Sequence, residues 1–490
     1  MAKQRELFIG GKWSAASDGK TFEDENPAKG DTWATVADGS REDARRAIDA
    51  AAEAFKGWSS LGPSERSKYL LRAADIVERR KDDIVSAIAH EAGSWLGKGL
   101  YEVGVVQNLL RYAASTCYQV TGDILPSDYG KLSMVMRRPL GVVSVISPWN
   151  FPMLLSTRGL GVALAVGNTV VLKPSEETPY VGGLVLAEVL QEAGVPDGVF
   201  NVVTCSRDRV AEVGDELVRH PRVRAVSFTG STAVGRQIGA LSGQLLKKAC
   251  LELGGKDALL VLDDADLDLA VTAAAFGTFM HQGQICMAVK KIVVQERIAS
   301  EFCERFVAHV KTLKVGDPLQ MANTIGPVIS KRQLERVRAH VDDAVGKGAS
   351  LLTGGEHHGL FYQPTVLSDV RPGMQIYSEE TFGPVAPIVR VGSDEEAISV
   401  ANDTEYGLSA GIITRNEQRG LAVAERLETG MAHINDSSVN DEPWVPFGGV
   451  KASGLGRHGG KAAIETFTET RWVTLERGGR KYPPPFVAKK

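Results

Sequence analysis

Gly141-Val142-Val143-Ser144-Val145-Ile146-Ser147-Pro148-Trp149-Asn150-Phe151-Pro152 joins a short apolar run to a turn stiffened by two prolines. Valine and isoleucine favour a strand, the prolines end it, and the turn presents one amide, Asn150. Runs of the same kind follow at Thr169-Val170-Val171-Leu172-Lys173, Val199-Phe200-Asn201-Val202-Val203 and Ala225-Val226-Ser227-Phe228-Thr229, with a helical stretch over 179–193. Short β-branched runs separated by helices predict a parallel sheet covered on both faces. A second series starts at Asp257-Ala258-Leu259-Leu260-Val261-Leu262 and continues through Lys291-Ile292-Val293-Val294-Gln295 and Ala386-Pro387-Ile388-Val389-Arg390-Val391 to about residue 427. The fold class is α/β, with a boundary between two units expected near Cys250.

Working outward, Leu7-Phe8-Ile9-Gly10-Gly11-Lys12-Trp13 reads as a hairpin turning at the glycine pair. Helices are expected over 40–55, with Ser40 as N-cap, and over 64–91 and 99–119. The alternation Leu132-Ser133-Met134-Val135-Met136-Arg137 predicts an exposed hairpin strand. Trp472-Val473-Thr474-Leu475 predicts another, and an unpaired strand near a terminus invites pairing with a second subunit.

A length of 490 residues suits about two or three domains. The net charge of −4, without a basic run, gives no field to attract nucleic acid. Five cysteines, at 117, 205, 250, 286 and 303 and never spaced C-x-x-C, suggest neither a disulfide framework nor a metal site. The first residues, Met1 to Phe8, lack the apolar core of a signal peptide, and no run approaches the ~20 apolar residues of a membrane span. A cytoplasmic protein without membrane attachment is expected.

Cys286 follows Glu252 by 34 residues. A thiol near a carboxylate that activates water is the minimum needed to make and hydrolyse a thioester. A free cysteine is more often a small buried hydrophobe, so the pair needs context. Asn150 supplies some, since its amide can donate to an oxygen that becomes negative. Lys173 and Glu176 stand at a strand's carboxyl end, where open α/β sheets bind ligands, and Glu176 can accept from ribose hydroxyls. Phe228-Thr229-Gly230-Ser231-Thr232-Ala233-Val234-Gly235 runs from strand to helix, a junction suited to phosphate or to ordinary capping. The G-x-G-x-x-G match at 454–459 lacks a preceding buried strand and is set aside.

Taken in order, Pro148-Trp149-Asn150-Phe151-Pro152, Lys173-Pro174-Ser175-Glu176, Phe228-Thr229-Gly230-Ser231-Thr232, Leu251-Glu252-Leu253-Gly254-Gly255-Lys256, Gly283-Gln284-Ile285-Cys286, Glu379-Glu380-Thr381-Phe382-Gly383-Pro384-Val385 and Pro446-Phe447-Gly448-Gly449-Val450-Lys451-Ala452-Ser453-Gly454 resemble the NAD(P)-dependent aldehyde dehydrogenase superfamily. The resemblance spans essentially the whole chain. It implies a Rossmann-like cofactor domain (1–121 and 139–250), an α/β catalytic domain (251–468) and a small β oligomerisation element (122–138 and 469–490), assembled as a homodimer or homotetramer. It implies Cys286 as nucleophile, Glu252 as general base, and Asn150 with the Cys286 N–H as the oxyanion hole. Lys173 and Glu176 would hold the adenosine ribose, Gly230, Ser231 and Gly235 the diphosphate, and Glu380 with Phe382 the nicotinamide ribose. Ile146 and Trp149 complete the implied cofactor contacts. NAD is expected before NADP, because Glu176 would repel a 2′-phosphate.

The stretch from Asn435 to Trp444 resembles the branch that acts on benzaldehyde, hydroxybenzaldehydes and vanillin. Phe151, Leu155, Met280, Ile285, Met287, Trp444 and Phe447 are the expected apolar funnel for a small aldehyde, with Arg158 meeting a ring substituent or a structural salt bridge. Two positions depart from the family pattern: Gly159 falls where many members carry lysine, and His458 follows Arg457 where many carry glutamate. If those residues relay protons elsewhere, Glu252, water or His458 must do so here. Two alternatives stay open, a coenzyme A-acylating semialdehyde dehydrogenase, disfavoured by Glu252, and a non-catalytic relative, disfavoured by the joint presence of Cys286, Glu252 and Asn150.

Overall fold

The computed structural model describes residues 3–486. Met1 and Ala2, and residues 487–490 of the expected oligomerisation element, lie outside the described residues. The strand Val142–Ile146 is buried at all five positions, as its apolar sequence demands. It pairs in parallel with Thr169–Lys173 on one side and Val223–Thr229 on the other. Phe200–Val202 adds beyond the first neighbour and Lys248–Glu252 beyond the second, both parallel. The chain therefore winds outward in opposite directions from Val142–Ile146, which opens a crevice at the carboxyl ends of these strands. Leu7–Ile9 and Lys12–Ser14 form the expected hairpin at the far edge, with Gly10 and Gly11 both at positive φ.

Lys248–Glu252 straddles the boundary expected at Cys250, and Gly454–Leu455 returns to pair antiparallel with it. The first sheet thus takes one edge from far along the chain. The second sheet runs in the order Ser350–Thr353, Thr365–Ser368, Val385–Val391, Lys291–Gln295, Ala258–Val261, Ala410–Ile413 and His433–Ile434, parallel except at the Ser350–Thr353 edge.

Helix Arg41–Ser60 starts at the expected cap: the Ser40 hydroxyl accepts from Asp43 N–H while the Asp43 carboxylate accepts from Ser40 N–H, a box worth about 1 kcal/mol. The single helix expected over 64–91 is instead two, Pro63–Arg79 and Lys81–Ala92, broken at Arg80. Arg79 in the last turn of one and Asp82 and Asp83 in the first turn of the next each complement a helix dipole, and an unbroken helix would forfeit both. The helix expected over 179–193 opens with a π turn, Tyr180–Leu184, before Val185–Glu192. There the buried Glu91 carboxylate accepts from the N–H groups of Tyr180 and Val181, both at 2.7 Å.

Thr468–Leu475 pairs antiparallel with all eight residues of Leu132–Pro139, and Asp123–Leu125 lies on the other side of that strand. This small sheet exposes Ile124, Tyr129, Met136 and Trp472. At its root, Asn168 Oδ1 accepts from Leu140 N–H at 2.7 Å and Gly141 N–H at 3.0 Å, while Asn168 Nδ2 donates to Phe467 O at 2.9 Å. Among the described residues, no helix is long and apolar enough to cross a membrane.

Candidate active site

Parallel pairing lines up the strand ends that carry the predicted residues: Glu252 faces Thr229, Phe228 faces Ile146, and Ile146 faces Lys173. Gly230 N–H donates to Glu252 O at 3.0 Å, and Ser147 N–H to Lys173 O at 3.1 Å, so the loops leaving these strands stay in register. The turn after Ile146 feeds helix Pro152–Ala165. Its first N–H groups, on Met153 and Leu154, donate to Glu102 Oε1 at 2.9 and 3.1 Å. Glu102 is itself ion-paired with Lys98, both side chains fully buried. That anchor escapes a sequence reading, because lysine and glutamate four apart on a helix read equally as a solvated pair.

Asn150 is buried, and its Nδ2 donates to Gln284 O at 2.9 Å. The amide is thereby pinned to the loop that carries Cys286, and its second N–H can donate to an oxyanion. In that loop His281, Gln282 and Gly283 take consecutive positive φ values of 49°, 56° and 69°. Such strain persists only when the surroundings impose it. Gln282 Nε2 donates to Gly93 O at 2.9 Å and Pro327 O at 2.8 Å, and His281 Nδ1 lies 3.2 Å from Ser94 Oγ.

Two adjacent glycines let Glu380 and Cys286 crowd the Glu252 loop: a Cβ on Gly254 would lie 2.6 Å from Glu380 Oε2, and one on Gly255 would lie 2.7 Å from Cys286 O. Lys290 ties the same groups together. Its ammonium donates to Cys286 O and lies 3.0 Å from Asp257 and 3.2 Å from Glu380. Glu252 is buried with no partner on either carboxylate oxygen. Burial pushes its carboxyl well above the usual range, partly opposed by Arg158 and Arg457. A Cβ on Gly448, at φ +153°, would sit 2.5 Å from Glu252 Oε1, so the glycine keeps space beside the carboxylate.

The predicted cofactor residues fall into two groups. Trp149 and Phe382 meet edge to face, 5.4 Å between centroids, with Phe382 at φ +57°. Lys173 and Glu176 line a cleft of about 720 Å³ between helices Val210–Arg219 and Thr232–Gln244, large enough for a nucleoside and its phosphates. Arg207 lines it too, 3.0 Å from Glu176. Ser231 caps helix Thr232–Gln244 with its hydroxyl, and Gly235 is needed for packing, since a Cβ there would lie 2.2 Å from Leu253 Cδ2. Both residues therefore have structural duties besides any contact with phosphate.

Phe151, Leu155, Ile285, Met287 and Phe447 belong to one buried apolar cluster, against which Met280 and Cys286 pack. A buried hydrophobic floor beside a thiol, a pinned amide and an unpartnered carboxyl is the equipment for acyl chemistry on an apolar substrate. The family model described as "Aldehyde dehydrogenase family" matches residues 13–473. The chain belongs to the aldehyde dehydrogenase family.

Relatives of this aldehyde dehydrogenase include a vanillin dehydrogenase of Pseudomonas fluorescens, 47% identical over 97% of this chain and 99% of the relative. The benzaldehyde dehydrogenase YfmT of Bacillus subtilis is 43% identical over 97% of this chain and 98% of its own. Among solved structures, a salicylaldehyde dehydrogenase from Pseudomonas putida G7 complexed with salicylaldehyde superimposes with a TM-score of 0.96, at 42% identity, covering 98% of this chain and 100% of that one.

The structure shows the surroundings of two expected funnel residues, and for Arg158 it bears out the salt-bridge alternative. Trp444 is 56% exposed and does not join the apolar cluster. Its loop carries it outward while Val445 turns in against the cluster. Arg158 is not free to meet a ring substituent, because it is buried in an ion pair with Asp441 and its guanidinium stacks 3.9 Å above the Phe447 ring. Tyr101 was missed: it stands edge-on to Phe151 at 6.4 Å, and burial pushes its phenol up to about 12.

Burial also pushes the Cys286 thiol up to about 12, against the pull of Lys290. Free of cofactor and substrate, the thiol form should persist through neutral pH. Alkylation by iodoacetamide is therefore expected to accelerate steadily from pH 7 to beyond pH 9, in proportion to the thiolate fraction. A rate already level at pH 8 would refute this assignment of the resting thiol.

Proposed function

We propose that this aldehyde dehydrogenase oxidises aromatic aldehydes of the benzaldehyde type to carboxylic acids, with NAD as the preferred cofactor. The observation that carries the reading is that Cys286 packs against the large buried apolar cluster to which Phe151, Leu155, Ile285, Met287 and Phe447 belong. The names of the vanillin, benzaldehyde and salicylaldehyde relatives support it.

The Cys286 S–H bond breaks and its proton leaves to water, Sγ adds to the aldehyde carbon as the C=O π bond opens, and the former carbonyl oxygen takes the negative charge toward Asn150 Nδ2 and the Cys286 N–H. The turn that holds Asn150 is fixed at both ends, by Ser147 N–H on Lys173 O and by Glu102 on the following helix. No reorganisation is then needed as the charge develops. NAD(P), the cofactor of the family, supplies the two-electron acceptor when bound. Lys173 and Glu176 would hold its adenosine ribose, Ile146, Gly230, Ser231 and Gly235 the region of the diphosphate, and Trp149, Glu380 and Phe382 its nicotinamide end. Glu252 takes a proton from the water that hydrolyses the resulting thioester. A carboxyl with no protein partner and raised basicity suits that step, and an acylating enzyme that passes its acyl group to a thiol has no use for it.

Glu176 favours NAD, because its carboxylate accepts from a free ribose hydroxyl and repels a 2′-phosphate. The Arg207 guanidinium beside it offsets part of that repulsion, so NADP is the secondary cofactor. On this reading residues 122–138 and 469–490 form the oligomerisation element of a homodimer or homotetramer, and the five free cysteines suit a reducing cytoplasm.

Burying a phenyl ring in place of a methyl group adds on the order of 2 kcal/mol, about 30-fold in kcat/KM when realised in the transition state. Assays of benzaldehyde and acetaldehyde with each cofactor should therefore favour benzaldehyde by that factor and NAD over NADP. Equal kcat/KM for the two aldehydes would sink the aromatic reading, and a higher kcat/KM with NADP would sink the cofactor preference.

A further inference from the structure

We infer that Cys250, Glu252 and His458 form a binding site for a thiophilic divalent cation, zinc above all, through which the metal inhibits the enzyme by occupying Glu252. The three side chains are buried, and their candidate ligand atoms lie within 4.8 Å of one another. Neither Glu252 carboxylate oxygen has a hydrogen-bond partner.

The geometry is close to that of a bound metal. Zinc bonds of ≈ 2.3 Å to sulfur and ≈ 2.0–2.1 Å to imidazole nitrogen place the two ligand atoms about 3.6 Å apart at a tetrahedral angle. Cys250 Sγ and His458 Nδ1 lie 3.9 Å apart. The other ring nitrogen, Nε2, lies 3.0 Å from Ser227 Oγ. With Ser227 accepting there, the Nδ1 lone pair faces Cys250, and the imidazole is oriented as metal-ligating histidines are by their outer partners. A thiol, an imidazole and one carboxylate are a donor set for zinc or cobalt, and a poor one for magnesium or calcium.

On binding, the Cys250 S–H bond and the O–H bond of the raised Glu252 carboxyl break, metal–sulfur and metal–oxygen bonds form and two protons leave to solvent, with no change of oxidation state. Arg158 and Arg457 bring positive charge toward Glu252 and moderate the affinity. Inhibition rests on the reading of Glu252 as the water-activating base; the binding site does not.

The test separates the two. Cobalt(II) added to Cys286→Ser, which lacks the catalytic thiol, should give a thiolate-to-cobalt charge-transfer band that disappears in Cys286→Ser/Cys250→Ala. A band indifferent to Cys250, or none, overturns the site. With Cys286 intact, zinc should inhibit reversibly, a chelator should restore activity, and magnesium at the same concentration should have no effect. Cys250→Ala should raise the apparent inhibition constant at least about tenfold, and Cys250→Ser, which keeps the volume of the side chain, should do the same. Unchanged zinc sensitivity in both variants overturns the proposal, whereas a Cys250-dependent cobalt band without zinc inhibition keeps the site and removes Glu252 from the rate.

Discussion

Replacing Cys286 with alanine should lower kcat by at least about 10⁴-fold, to the level of a protein that binds aldehyde without reacting with it. On the proposed mechanism the Cys286 thiol makes the covalent bond to substrate; Cys117, the other thiol of the apolar cluster, is 4% exposed and has no part in it. NAD affinity should change little, since Lys173 and Glu176 occupy the end of a different strand and a separate cleft. Absorbance at the NADH band measures the loss, and quenching of tryptophan fluorescence by NAD reports the retained binding. Turnover within tenfold of the parent enzyme would refute Cys286 as nucleophile, while a parallel loss of NAD binding would point to misfolding of the 280–286 loop.

Glu252→Gln is expected to slow thioester hydrolysis by about 10²–10⁴-fold, the range of general-base assistance. Oxidation should survive, so a burst of NADH equal to the enzyme concentration should precede a slow steady rate, and intact mass should show the acyl adduct. Glutamine fits the same pocket beside Gly448 without demanding new space. The pH dependence follows from the raised carboxyl. The base is protonated at low pH and becomes available as pH rises, so deacylation should climb along an alkaline limb that vanishes in Glu252→Gln. A normal steady rate with no adduct would remove Glu252 from the mechanism.

The strands were readable because both faces are covered. Val142–Ile146, Thr169–Lys173 and Lys291–Gln295 are buried at every position and mainly β-branched or apolar, with Ser144 the one polar residue inside a strand, and the observed limits of the last two coincide with the quoted runs. The break at Arg80 was less visible, since no proline or glycine marks it; only the charges on either side, Arg79 against Asp82 and Asp83, carry the signal. In the site, motifs picked out Cys286, Glu252 and Asn150 as candidates, but not what holds them. Lys290 and the Lys98–Glu102 pair work through burial and long-range contact, which spacing along a chain does not encode. Trp444 was undecided for the converse reason: an aromatic residue in an apolar-looking loop gives no hint of which way the loop turns it.

The sheet of Asp123–Leu125, Leu132–Pro139 and Thr468–Leu475 leaves and rejoins the body at one place, where a single buried amide, Asn168, grips both crossing segments. In terms of chain connectivity it is a tongue whose root is held by Asn168 and, on the Thr468 side, by Lys248, which donates to Glu465 O and Thr468 O. The strand it delivers, Val142–Ile146, leads straight into the turn that carries Asn150, only a few residues downstream. A neighbouring subunit that takes hold of the tongue would thus pull on the same backbone that aims the oxyanion donor.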